Sequence, residues 1–332
     1  MLEMIEKHNC CPICKNKKIK EFEKINIKKE QKLFELLKYN QLSSNWSICT
    51  NCNHIFLNPC FDKEVDKKLY GEESIYRKYS INEKTDLEYA KTIDYTIGKG
   101  IPHKSHYYLI EKIMKFGKLK KGRVLDFGAG FAPAEGAFES LGFHYEGFEK
   151  DKWCNDFAKK IGRNKIFSDN SLIKKNSYDL IYTYQVFEHI KNPLPVIRNL
   201  KDTLKENGIF FINVPTLEFS ILKFRNLNSK GINCLNWGHY HSYTRNSLRY
   251  IFDQLNFKIE KIWIGNGDIN IIARKKIYVQ KKETQYHNKF ISWKLRLKIL
   301  KFILIPICQP LFYTPINIIK KYLILIKSKL IK

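Results

Sequence analysis

The sequence predicts an α/β fold with a nucleotide-binding strand–turn–helix unit, preceded by a small cysteine-rich module and followed by a basic, apolar tail. Three observations carry this prediction. An apolar run beginning at Val124 leads into a glycine turn, two Cys-x-x-Cys pairs lie within the first 52 residues, and the stretch from Thr284 to Lys332 contains no acidic residue. We therefore divide the chain into four segments: 1–60, 61–104, 105–278 and 279–332.

Composition limits the class of protein. A chain of 332 residues with 44% apolar residues is long enough to bury a sizeable core. The balance of 59 Lys and Arg against 33 Asp and Glu gives a net charge of +26, which favours an anionic partner: nucleic acid, an acidic glycan or an anionic membrane surface. Charge alone does not choose among these partners, and an AT-rich genome would also enrich Lys, Ile and Asn.

Nine cysteines in a chain of this length do not indicate a disulfide framework. The opening residues, Met1 to Lys7, do not have the pattern of a signal peptide. We therefore expect a reducing, cytoplasmic setting.

Four of the cysteines form two knuckles, Cys11-Pro12-Ile13-Cys14 and Cys49-Thr50-Asn51-Cys52. Together they predict a tetrahedral Cys₄ zinc site, which would be structural because four thiolates leave no open coordination position. The 34 residues between the knuckles exceed the commonest spacing and are expected to form an inserted hairpin or helix. Unrelated cysteines or a redox pair are the alternatives.

The glycine turn carries the nucleotide-binding prediction. Gly128 and Gly130 follow a strand that ends near Asp126, but Ala132 stands at the third glycine of the dinucleotide fingerprint. A ligand with a ribose and no pyrophosphate fits this pattern best. Glu149, 19 residues after Gly130, ends the next strand and can accept both ribose hydroxyls. An ordinary strand-to-helix turn is the alternative.

From this turn onward the chain resembles the class I S-adenosylmethionine-dependent methyltransferases. The run from Ser177 to Ile190 resembles the fourth strand of that family and the turn after it, and Gly208 to Pro215 resembles the fifth, so the resemblance covers about residues 105 to 275. It implies a Rossmann-like seven-stranded methyltransferase sheet with S-adenosylmethionine as cofactor.

The resemblance also implies roles for individual residues. Asp126, Gly128 and Gly130 would line the methionine part of the cofactor, Glu149 the ribose and Asp169 the adenine amino group. Gln185 would face the sulfonium and the acceptor. Glu188 and His189 occupy a helix start in that family, which implies a structural role or a place at the edge of the substrate.

Two further stretches resemble sugar-modifying methyltransferases. The second knuckle followed by His54 to Pro59 is similar to their amino-terminal zinc module, and His239 to Tyr243 resembles a stretch beside their reacting centre. Tyr240 stands where the sugar carbon-methylating enzymes carry Glu, so we expect methylation of an oxygen.

We predict His241 as the base that takes the acceptor proton, supported by His239, because a neutral imidazole accepts a proton near pH 7. The alternative is that both cap the following helix or only bind substrate. Metal binding by this pair is disfavoured, since no Asp or Glu lies between Asn236 and Ser247.

Local patterns predict the remaining elements. An amphipathic helix is expected between Ser105 and Leu119, a second from about Asn246 to Leu255, and a final hairpin that turns at Gly265 to Asp268. The tyrosine-rich segment 61–104 is either a helical lid over the substrate cleft or a plain connector.

The tail combines basic clusters with an uncharged run from Phe302 to Ile319. Its 18 residues have the length of a short membrane span, but Pro306, Pro310 and Pro315 interrupt it. We expect the tail to lie in an anionic membrane interface, with its Lys and Arg residues at the headgroups. Packing on the domain or on a second subunit is the alternative.

These observations predict a cytoplasmic, membrane-associated S-adenosylmethionine-dependent methyltransferase with structural Zn²⁺, which acts on a hydroxyl of a sugar or of a lipid-linked glycan precursor. An RNA methyltransferase is the second hypothesis, because zinc ribbons and basic surfaces also suit nucleic acid. A noncatalytic cofactor-fold docking protein is the third. The sequence leaves the oligomeric state open.

Overall fold

The computed structural model describes residues 5–25, 44–74, 106–218 and 238–276. The chain divides into the units Met1–Tyr286 and His287–Lys332, and every described residue belongs to the first unit. The predicted tail and most of the predicted lid therefore lie outside the described residues.

The amino-terminal module is built from short strands that bring the two knuckles together. Its elements are β1 (Ile5–Glu6), β2 (Ile19–Ile25), β3 (Ser44–Cys49), β4 (Ile55–Leu57), β5 (Cys60–Phe61) and helix α1 (Lys63–Tyr70). Strands β2 and β3 pair antiparallel, so the chain between the knuckles leaves and returns as a hairpin-like pair. Residues 26–43 of this insertion lie outside the described part.

The second half of the described chain alternates strands and helices. The strands are β6 (Arg123–Phe127), β7 (His144–Phe148), β8 (Ile166–Phe167), β9 (Tyr178–Tyr184), β10 (Leu204–Pro215), β11 (His241–Ser242), β12 (Phe257–Gly265) and β13 (Asp268–Lys275). The helices are α2 (Tyr107–Gly117), α3 (Glu135–Ser140), α4 (Lys152–Lys160), α5 (Pro193–Thr203) and α6 (Arg245–Gln254).

Seven of these strands form the predicted Rossmann-like sheet, in the order β12-β13-β10-β9-β6-β7-β8. Strands β6 to β10 are parallel, and β13 runs antiparallel to β10. The chain winds outward from β6 through β7 and β8, then returns to β9 on the other side of β6. Because the chain continues from β6 and from β9 towards opposite sides of the sheet, the loops after these two strands diverge. A crevice is left between them at the carboxyl edge of the sheet.

The predicted final hairpin and the helix before it are confirmed. Gly265 pairs with Asp268, and Asn266 and Gly267 have φ values of 55° and 99°, as a type I′ turn requires. Helix α6 begins at a capping box in which Thr244 and Ser247 satisfy each other's backbone N–H groups.

The amino-terminal module built from β1 to β5 and α1, called the ribbon below, shares one hydrophobic core with the seven-stranded sheet. Cys11, Cys52 and Phe56 from the ribbon belong to the same buried cluster as Phe187 and Tyr243. The module is therefore packed on the carboxyl edge of the sheet. None of the helices in the described ranges has the length and apolar character needed to cross a membrane.

Candidate active site and metal centre

The two knuckles have matching backbone geometry. Lys15 N donates to Cys11 O and Asn53 N donates to Cys49 O, both at 3.0 Å. The residue after each second cysteine, Lys15 or Asn53, has a φ of 58°. This left-handed turn reverses the chain, so both thiols of a knuckle face the same point.

The four thiols meet as a metal site requires. Their Sγ atoms all lie within 4.8 Å of one another, with Cys11 3.7 Å from Cys52 and Cys14 3.4 Å from Cys49. A tetrahedral zinc with Zn–S bonds of about 2.3 Å would hold its sulfurs about 3.8 Å apart. The donor set therefore fits zinc after small adjustments.

His241 lies at the contact between the ribbon and the sheet domain. It pairs with Phe56 across β11 and β4, and its side chain is 1% exposed. Its Nε2 lies 3.1 Å from the carbonyl oxygens of Ile190 and Lys191, and its Nδ1 lies 3.0 Å from His54 Nε2.

These partners determine the protonation of both rings. Carbonyls only accept, so His241 Nε2 carries a hydrogen and Nδ1 accepts one from His54 Nε2–H. Burial lowers the pKa of His241 to about 4 and that of His54 well below 6.5. The interpretation of His241 as the catalytic base is therefore not retained, because a buried imidazole with both nitrogens engaged cannot reach an acceptor.

The glycine turn after β6 forms one wall of the cofactor crevice. Gly128 has a φ of +78°, and a Cβ at this position would lie 2.5 Å from Val186 Cγ2. Only glycine fits between the backbone and the loop after β9. Gly130 also has a positive φ, and its N–H donates to Glu149 Oε2 at 2.9 Å.

Glu149 follows β7 and faces the same crevice. Besides the bond from Gly130, its Oε1 accepts from Asp151 N at 3.0 Å. These bonds hold the carboxylate at the cavity wall. Each carboxylate oxygen has more than one lone pair, so the group retains capacity for the hydroxyls of a ribose.

Three of the predicted cofactor residues, Asp126, Gly130 and Asp169, are not among the residues that line the cavity. Asp126 is buried beneath the turn, where it accepts from Tyr145 OH at 2.8 Å, and burial raises its pKa to about 7. Asp169 is exposed after β8, and its carboxylate accepts from Ser171 N at 2.8 Å. Asp126 is therefore a buried, hydrogen-bonded residue at the start of the glycine turn.

Gln185 directly follows the last residue of β9 and has a φ of 57°. Its side-chain amide donates to Asn213 Oδ1 at 2.7 Å, and Asn213 in turn donates to Asn270 at 2.9 Å. Sequence reasoning missed Asn213. The available signal was a polar residue among the apolar residues near the carboxyl end of β10.

One cavity of about 870 Å³ joins these features to a second group of side chains. Its lining includes Gly128, Glu149 and Gln185, which the sequence predicts as cofactor-binding residues. His189 and His239 also line this cavity, together with residues of α1. The structure thus brings three of the six predicted cofactor residues and one of the two predicted catalytic histidines to a single space.

Glu188, His189 and His239 form a compact group beside this cavity. One ligand atom from each lies within 4.8 Å of those of the other two. Glu188 is 0% exposed, and burial raises its pKa to about 8. The turn after β9 supplies Glu188, and the segment before β11 supplies His239, so the sequence does not place them together.

The comparison with known protein families supports the prediction of a methyltransferase. Residues 101–262 match the family model described as a methyltransferase domain. On a seven-stranded sheet with a glycine-lined cavity at its carboxyl edge, this match identifies an enzyme of the S-adenosylmethionine-dependent methyltransferase class. The match stops short of the ribbon, and no curated protein matches the chain.

Several solved structures are similar over about half of the chain. A putative S-adenosylmethionine-dependent methyltransferase from Listeria monocytogenes is 14% identical, with a TM-score of 0.42 over 52% of this chain and 98% of that one. A SAM-dependent methyltransferase from Methanosarcina mazei has the same identity, TM-score and coverage of this chain, and 99% of its own length is covered. One from Archaeoglobus fulgidus is 15% identical, with a TM-score of 0.40 over 51% and 94%.

Proposed function

We propose that the protein transfers the methyl group of S-adenosylmethionine to a hydroxyl of a sugar or of a lipid-linked glycan precursor. The observation that carries this proposal is the single cavity between the cofactor wall and the histidine group. Lys63, Asp66, Tyr70 and Lys150 also line it. Ammonium, carboxylate and phenol groups can exchange hydrogen bonds with a polyol, and the lysines suit a phosphate linked to it.

The cofactor residues would act by position. Glu149 would hold the ribose hydroxyls, Gly128 would allow close approach at the turn, and Gln185 would face the methyl group. When bound, S-adenosylmethionine supplies a methyl group on a positively charged sulfur. Orientation of the acceptor along the line of displacement then supplies much of the rate.

The acceptor hydroxyl must lose its proton as its oxygen gains the methyl group. His189 and His239 are titratable side chains that line the cavity, and the buried Glu188 lies beside them. The sequence predicts His241 as the base and His239 as the residue that supports it. We assign the role near the acceptor proton to His239, because His239 lines the cavity and His241 does not. The ring centroid of His239 lies 4.7 Å from that of His189, within the same wall.

We also propose that Cys11, Cys14, Cys49 and Cys52 hold one structural Zn²⁺. Its purpose would be to maintain the ribbon surface that packs on the sheet and positions α1 at the cavity. The basic tail, from residue 279 onward, would keep the enzyme at the inner face of an anionic membrane, where lipid-linked precursors are found. A peripheral position agrees with the proline-interrupted uncharged run.

Transfer of a labelled methyl group tests the acceptor. The purified protein is incubated with methyl-labelled S-adenosylmethionine and with separate saccharide, lipid-linked saccharide and RNA fractions. We expect label in a saccharide fraction, and much less label with a Glu149→Ala variant at the same subsaturating cofactor concentration. Label confined to RNA would contradict the proposal and favour the nucleic-acid hypothesis.

A further inference from the structure

Glu188 has a buried carboxyl group with no hydrogen-bond partner in the part of the chain that the structure describes. Its residue is fully buried, and neither Oε1 nor Oε2 has a partner among the described residues. Burial of a polar group without compensation is costly, so such a group calls for an explanation. Within the described part of the chain, His189 Nε2 lies 3.9 Å from Oε1, which is too long for a hydrogen bond.

His189 is oriented as a metal-binding histidine would be. Its Nδ1 lies 2.7 Å from the carbonyl oxygen of Gly238, which can only accept. Nδ1 therefore carries the hydrogen, and in the neutral ring Nε2 presents a lone pair towards Glu188. Histidines that bind metals commonly donate their second nitrogen to a backbone carbonyl in this way.

His239 completes the group from another part of the chain. It is 5% exposed, and the ligand atoms of Glu188, His189 and His239 lie within 4.8 Å of one another. The two histidines line the cavity, so one side of the group opens towards the space shared with Glu149 and Gln185.

We propose that Glu188, His189 and His239 bind one divalent transition-metal cation at the acceptor end of the cavity. Two imidazoles and one carboxylate are ligands that Mn²⁺, Fe²⁺, Co²⁺ and Zn²⁺ accept, and three protein ligands leave coordination positions for other groups. This site is separate from the cysteine cluster, whose thiolates select softer ions.

The role of the cation rests on the proposed function. Coordination by a divalent ion lowers the pKa of a bound hydroxyl, so the acceptor loses its proton to solvent water near neutral pH, and its oxygen then bonds to the methyl carbon as the carbon–sulfur bond of the cofactor breaks. With the ion bound, His239 serves as a ligand and is not itself the base. The site would favour a sugar that offers a hydroxyl beside a second oxygen donor, because the two can occupy neighbouring positions on the ion. The acceptor class is thereby narrowed to vicinal diols or hydroxy acids.

Manganese is a suitable probe because it prefers nitrogen and oxygen ligands to thiolates. The full-length, zinc-loaded protein is titrated with Mn²⁺, and the free ion is followed by electron paramagnetic resonance. We expect one Mn²⁺ per chain, and at least tenfold weaker binding in Glu188→Gln and in His239→Gln. His144→Gln is the matched control, since His144 is a solvent-exposed histidine of the same domain.

Cofactor titration of the same variants checks that they fold. If the folded parent binds no Mn²⁺, or if both variants bind it as the parent does, the metal site is wrong. That result would leave the proposed methylation of a saccharide untouched. Manganese binding that depends on Glu188 and His239, without any saccharide methylation, would instead support the site and contradict the proposed function. If Glu188→Gln does not fold, His239→Gln decides the outcome alone.

Discussion

His54 donates a hydrogen bond from Nε2 to Nδ1 of His241 across 3.0 Å, although 187 positions separate the two residues. His54 comes two residues after the last cysteine of the second knuckle, and His241 lies on β11, which pairs with β4 of the ribbon. His241 then donates to the carbonyls of the turn after β9, at 3.1 Å. The pair therefore connects the cysteine centre to the wall of the cavity.

The first prediction is that acid weakens this connection. His241 has a folded-state pKa of about 4 against 6.5 when exposed, so between these values the unfolded chain binds more protons. Its stabilising contribution, about 3 kcal/mol in full, is present above pH 6.5 and is lost as the pH falls towards 4. Urea unfolding measured from pH 7.5 to 4 checks this.

An Asn at position 241 is the informative variant, because it has no group that titrates in this range. We expect His241→Asn to be less stable at neutral pH and to lose less stability on acidification. The exposed His144→Gln variant should keep the parent's pH dependence. An identical pH dependence in parent and His241→Asn would contradict the assignment.

The second prediction uses two glycines with similar backbone angles. Gly128 and Gly142 have φ values of +78° and +82°, so Ala costs about 1 kcal/mol in backbone strain at either. Only at Gly128 would the new Cβ meet a neighbour, at 2.5 Å from Val186. We expect Gly128→Ala to weaken cofactor binding at least tenfold in calorimetry and Gly142→Ala to leave it nearly unchanged. Equal effects would show that the turn does not contact the cofactor.

The third prediction concerns the ribose. Glu149→Ala removes an acceptor for both hydroxyls and releases the N–H groups of Gly130 and Asp151. Hydrogen bonds to a charged group contribute about 1.5–3 kcal/mol, so cofactor affinity should fall by roughly tenfold to a hundredfold. Calorimetric titration measures this, with the exposed Glu139→Ala as control. Unchanged affinity would remove Glu149 from the site.

The fourth prediction is about one zinc ion per chain. Replacement of one cysteine in each knuckle, Cys14→Ser with Cys52→Ser, should abolish zinc binding and destabilise the ribbon. Cys154→Ser changes a buried cysteine of α4 outside the cluster and should keep the metal. Metal analysis of the purified proteins decides between them. Full zinc content in the double variant would refute the assignment.

The fifth prediction is that the tail binds anionic membranes. It carries nine Lys and one Arg from Thr284 onward, and each charge that reaches the surface adds about 1 kcal/mol. The parent should sediment with vesicles that contain anionic lipid, less so as salt rises, and a chain ended at Asn288 should not. Parent protein that stays in solution with such vesicles would contradict the proposal.

Local chemistry allowed much of the fold to be predicted from sequence. The apolar strands, the turn at Gly128, the hairpin turn at Asn266 and Gly267 and the pairing of knuckles all depend on residues close together in the chain. The glycine pattern also predicted where a cofactor crevice opens, because a strand followed by a tight turn needs no distant partner.

The histidines could not be assigned in this way. His239 and His241 are two positions apart in the sequence, yet one faces the cavity and the other is buried against His54 and the turn after β9. Glu188 became a neighbour of His239 because Tyr240 N donates to the Glu188 carbonyl at 2.7 Å. Which side chain lines the cavity depends on how the ribbon packs on the sheet. That packing must provide hydrogen-bond partners for buried polar atoms, and these partners come from residues far apart in the sequence. Short-range residue patterns were enough to predict the class of fold and the glycine turn, whereas the packing of distant segments puts His239, and not His241, in the lining of the cavity.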